Sequence, residues 1–139
     1  MRPHIGTSVL ALGLIVGAAY PLLAHHSVTG SYDTKKFFTI KGTVTRIEWI
    51  NPHVFVHVTA KDAKGALVTW QLETVPVGFM RRAGITREMV MGKPGEVVTV
   101  TANPPFDGSK LTGILSRIKY EDGHEYKLGI DGTQETDAQ

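Results

Sequence analysis

The stretch Ile40-Lys41-Gly42-Thr43-Val44-Thr45-Arg46-Ile47-Glu48-Trp49 carries its apolar residues on two incompatible phases. Ile40, Gly42 and Val44 fall on one face of an extended chain, whereas Ile47 and Trp49 fall on the other. Side chains alternate strictly along a strand, so a change of phase without a break requires one extra residue. The spacing predicts a β-bulge near Thr45-Arg46, the device that bends a long first strand around a small barrel.

The pattern continues downstream. Asn51-Pro52 ends the strand, and Val54, Val56 and Val58 then alternate with Phe55, His57 and Thr59 at a period of two. Lys61-Asp62-Ala63-Lys64-Gly65 reads as a hairpin loop, followed by a third strand whose apolar face is Val68, Trp70 and Leu72. Trp70 is therefore expected in the core. From Val77 to Met91 the spacing turns helical, through Phe79, Met80, Ala83 and Met89-Val90, with an interruption at Gly84. Thr86 is the expected N-cap of the second helical turn, and Glu88 stands where the helix dipole favours an acid. After the Lys93-Pro94-Gly95-Glu96 turn, Val98, Val100 and Ala102 mark a fourth strand, closed by Asn103-Pro104-Pro105. Leu111 to Ile118 makes a fifth, and Asp122-Gly123 between Ile118-Lys119-Tyr120 and Tyr126-Lys127-Leu128 predicts a hairpin.

Three strands, a short helical insert, two strands and an added hairpin give an all-β class. The order is that of an OB-like five-stranded barrel, with the insert plugging one end. Another small β-barrel or a sandwich is the alternative. The expected organisation is a signal peptide over 1–24, an irregular N-terminal arm over 25–39, the barrel over 40–130 and a disordered tail over 131–139. Tyr32 and Phe37-Phe38 are the expected docking points of the arm. This architecture hosts many unrelated roles, so fold alone assigns none.

Residues 1–24 have the layout of a secretory signal: a basic start, an apolar run of 11 residues from Val9 to Ala19, and Pro21-Leu22-Leu23-Ala24 as the cleavage region. The run is shorter than the roughly 18–20 residues a membrane span needs. An uncleaved anchor is the competing reading. The absence of cysteine excludes a lipoprotein anchor, disulfides and thiolate metal sites. Cleavage after Ala24 leaves 115 of the 139 residues, one domain, with 14 basic against 13 acidic side chains. That near-neutral balance gives no reason to expect nucleic acid as a partner. The expected location is the periplasm or the exterior, with no stable membrane anchor after processing.

The histidines are the best candidates for chemistry. A chain starting at His25 offers an α-amine and an imidazole to a single metal ion, and His26 follows directly. Imidazole from His53, in the turn after Asn51-Pro52, would complete a three-nitrogen site of the histidine-brace type. Such donors favour copper among divalent first-row ions. Cleavage before Ala24 would instead give Ala-His-His, with His26 third, a ligand set for square-planar copper. His53 and His57 are roughly 13 Å apart along a strand, too far to share one ion. His57 reads as a surface-strand residue and His124 as a solvated turn residue. A His-His pair after a signal can also be a soluble start without a metal role.

Glu48-Trp49-Ile50-Asn51-Pro52-His53 is a second constellation. Trp49 and Asn51 could form a stacking platform for a planar ligand or sugar, although a Trp at a strand end is also a core plug. Arg81-Arg82 is a third. Adjacent helical residues diverge by about 100°, so one anion cannot engage both unless the segment unwinds; a solvated face is the simpler reading, and contact of one of them with a carboxylate or anionic partner is the alternative. No Ser-His-acid set, glycine-rich phosphate loop or paired carboxylates is present, so no catalytic residue is assigned.

Leu23-Ala24-His25-His26-Ser27, Tyr32-Asp33, Lys41-Gly42-Thr43-Val44 and Glu48-Trp49-Ile50-Asn51-Pro52-His53-Val54 together resemble a family of small exported bacterial proteins of unknown function. The likeness continues through Arg81-Arg82, Lys93-Pro94-Gly95-Glu96-Val97-Val98-Thr99-Val100 and Asp107-Gly108-Ser109, and departs at the less polar Phe79-Met80. It implies export and a single domain, without an activity. Three readings follow: a copper-binding protein, a periplasmic module for a protein partner or small ligand, and a copper-dependent oxidase.

Overall fold

The computed structural model describes residues 28–129. Val28–Ser31 forms one helical turn, α1, and is treated by itself. The remainder holds β1 (Phe38–Trp49), β2 (Val54–Lys61), β3 (Leu67–Thr74), α2 (Val77–Arg82), α3 (Arg87–Met91), β4 (Val97–Asn103), β5 (Thr112–Tyr120) and β6 (Glu125–Lys127). The signal peptide, His25, His26 and the tail over 131–139 lie outside the described residues.

The sheet runs β3-β2-β1-β4-β5-β6, and a parallel β3–β5 pairing closes its first five strands into a barrel. This is the OB-like order expected from the sequence. β1 pairs with β4 through Phe38–Thr43 and with β2 through Gly42–Trp49, so one strand serves two neighbours. The β1–β2 register slips between Val44 and Arg46, which makes Thr45 the extra residue. Ile40 and Val44 are buried before the slip and Ile47 after it, so both phases of the sequence face one interior.

Gly42 sits where β1 changes partners, opposite both Ala60 and Val98. A Cβ there would lie 2.4 Å from the Thr59 carbonyl oxygen, so only glycine lets the strands approach this closely. A second slip, between Thr101 and Ala102, leaves Ser116 of β5 unpaired in register and again switches the inward phase. Leu115 lies inward on one side of it, Ile118 and Tyr120 on the other.

Val54, Val56 and Val58 from β2, Leu72 from β3, Val98 and Val100 from β4 and Leu115 and Ile118 from β5 fill the core. Trp70 is half-buried at its margin, stacked obliquely on Phe38 with ring centroids 5.0 Å apart. Phe37, expected as a docking residue, is instead 74% exposed, because the ladder to β4 starts one residue later and turns Phe38 inward.

The insert caps one barrel end through buried Val77, Met80 and Val90. Phe79 and Met89, placed on its apolar face by spacing, stay exposed, because each short helix buries only the residues over the barrel mouth. Gly84 takes φ 69° between the helices, and the Thr86 side chain accepts from the Met89 amide at 3.2 Å, as the N-cap reading requires. The Tyr120 hydroxyl donates to the Val90 carbonyl at 2.7 Å, tying the insert to β5. Leu128, after β6, is buried, and its amide donates to Ser116 at 2.8 Å, so the added hairpin locks against the barrel.

Two glycines should respond oppositely to alanine. Gly42→Ala is expected to lower stability by about 1–3 kcal/mol, through overpacking against Thr59. Gly78→Ala, helical and facing only the Arg82 side chain 3.8 Å away, should be neutral or stabilising by ~0.5–1 kcal/mol. Urea-denaturation midpoints compare the two directly.

Candidate functional site

The β2–β3 hairpin sets the site. Its register places Phe55 opposite Glu73, and both point to the outer face because their neighbours Val54, Val56, Leu72 and Thr74 are buried. Glu73 therefore emerges beside the turn that carries His53. The His53 Nδ1 meets one Glu73 carboxylate oxygen, and the Tyr32 hydroxyl donates to the other at 2.9 Å. Three segments distant in sequence converge on one carboxylate.

Glu73 is largely sheltered, with a side-chain exposure of 16% against 46% for His53. An ionised carboxylate only accepts hydrogen bonds, so both contacts bring a proton towards it. A neutral His53 thus carries its hydrogen on Nδ1 and leaves the Nε2 lone pair unengaged by Glu73. Metal-binding histidines are commonly held in this way, with a carboxylate orienting the ring and raising its basicity.

Tyr32 is fixed from its backbone as well. It forms a β-bridge with Pro105, and the Asp33 amide donates to the Pro104 carbonyl at 2.9 Å. Burial, the hydrogen bond to Glu73 and the charges of Glu73 and Asp107 push its phenol well above the ordinary tyrosine range. Tyr120 is raised likewise, first by burial and then by Tyr126 and Glu96.

His57 belongs to a separate pair. Its Nε2 lies 2.9 Å from the Glu48 carboxylate, which also receives Arg46 at 3.1 Å. His124 stacks on Tyr120 with centroids 4.2 Å apart and contacts Asp122. Among the described residues no three His, Cys, Asp or Glu side chains gather at one point.

Trp49 is half-buried, against the core and beside a cavity of about 410 Å³ between the end of β1 and the insert. Arg81 lines that cavity, whereas Arg82 lines a different one of about 420 Å³ and lies over the Phe79 ring at 4.6 Å. The two arginines diverge, as their adjacency on a helix dictates. Asn51 is exposed, in a cis Asn51–Pro52 peptide.

His53, Trp49 and Arg81 stand out in the sequence, whereas Glu73 and the hydrogen bond from Tyr32 do not. The hairpin loop held the missing signal. Counting back from Lys61-Asp62-Ala63-Lys64-Gly65 pairs Glu73 with Phe55, two residues from His53.

The raised tyrosines can be tested by absorbance titration. Two phenols should ionise above the usual range near roughly 10, and Tyr32→Phe should remove one of them. A phenol raised in the folded state leaves the unfolded chain with fewer bound protons above its own pKa. Stability should therefore be fully retained below about pH 10 and fall as pH rises beyond it, less steeply in Tyr32→Phe.

The model of a family of unknown function, DUF6152, matches residues 13–117. No curated protein and no solved structure shows significant similarity to the chain. The protein is a small β-barrel that belongs to the DUF6152 family.

Proposed function

We propose that this protein is exported and binds copper through the processed N-terminus and His53. Cleavage after Ala24 would free the His25 amine and imidazole, with His26 adjacent, and the His53 Nε2 would supply the third nitrogen. The observation carrying this reading is the Glu73 contact to His53 Nδ1, which orients the imidazole with its other nitrogen available. The donor chemistry fits as well: nitrogen ligands without thiolates suit tetragonal copper(II). The role that follows is storage, delivery or sensing, and no residue is assigned to catalysis.

Mass spectrometry of the exported protein should find His25 first. Copper titration against a competing chelator should then show processed protein binding tighter than a peptide of residues 25–36. His53→Ala should reduce affinity to the peptide's level. Glu73→Gln, leaving every ligand in place, should weaken binding about 10-fold. Binding in His53→Ala equal to that of the parent would overturn the site.

A further inference from the structure

We propose that the cavity beside Trp49 is a binding site for a small planar aromatic carboxylate. Its apolar lining is Trp49, which also packs against the core, and the half-buried Ile85. A ring entering there meets an indole that packs against the core, and an aromatic pair contributes beyond the area it buries.

Charge selects the second half of the ligand. Arg81 from α2 and Arg87 from α3 both line the cavity, with Glu88 the one acid among its lining residues. Among the described residues, Arg81, Arg87 and Glu88 form no ion pair, so the cavity keeps one net positive charge. Arg82 is the contrast: its guanidinium is spent on the Phe79 ring at 4.6 Å and faces the other cavity. Two arginines from separate helices, lining one cavity with Trp49, suit a carboxylate on a flat ring, since arginine's planar fork matches carboxylate geometry. The volume, about 410 Å³, lies within the range of small-ligand sites and admits one bicyclic ring. The wall is also internally braced, because the Thr86 hydroxyl is occupied in capping α3 and Tyr120 pins the Val90 carbonyl.

The test uses chelator-treated full-length mature protein, which keeps it independent of copper, with 2-naphthoate as the probe. Nuclear magnetic resonance follows the Trp49 indole N–H and the Arg81 side-chain N–H. Saturable shifts are expected at both. Arg81→Gln combined with Arg87→Gln should weaken binding about 10-fold or more, the scale of one lost charge-assisted contact. Arg82→Gln should change it less than about twofold, and 2-naphthamide, isosteric but uncharged, should bind as weakly as the double variant. All three arginines are exposed, so these variants are expected to keep the fold. Equal binding of naphthoate and naphthamide would overturn the anion site. Shifts centred on Phe79 and Arg82, or equal binding of hexanoate, would overturn the aromatic one.

Discussion

The extra residue at Thr45 is the constraint on which the rest depends. β1 must pair with β4 over its first half and β2 over its second, while keeping one interior supplied with apolar side chains. A regular strand bent that far would turn Ile47 and Trp49 outward. The bulge returns them to the interior side, and Gly42 lets the neighbouring backbones close in where the partners change. Ser116 repeats the device on β5, so the two strands that flank β4 each carry one inserted residue.

The placement of the candidate site residues follows from that bend. By carrying Trp49 to the barrel mouth, β1 leaves the Asn51–Pro52 turn to deliver His53 to the outer end of β3, where Glu73 faces outward. Glu73 then joins a turn, a strand and the N-terminal arm through two contacts to one carboxylate. On the other side of the same turn, Trp49 separates the core from the Arg81 cavity. One strand end thus positions both candidate sites, and the insert contributes to just one of them.

Local periodicity revealed the barrel because burial itself is local. The phase change in β1, the alternation of Val54, Val56 and Val58, and the Thr86 cap each lie within a few residues, and each appears as the sequence indicates. The divergence of Arg81 and Arg82 was legible for the same reason. Contacts across long separations were not. Tyr32 and Glu73 are 41 residues apart, and no period along the chain relates them. The bulge at Ser116 was hidden because Ile114-Leu115 reads as a plain apolar pair until β4 imposes its register. Phe37 and Phe38 are equivalent by composition, and only the ladder to β4 decides which one turns inward.

The central claim is that Glu73 holds His53 with its hydrogen on Nδ1 and its Nε2 lone pair free. Long-range proton–nitrogen correlation spectra of the metal-free protein, recorded where the ring is neutral, read this tautomer directly. The account predicts an Nδ1-protonated His53 in the parent, and a return towards the Nε2-protonated form of free imidazole in Glu73→Gln. An Nε2-protonated ring in the parent would contradict it.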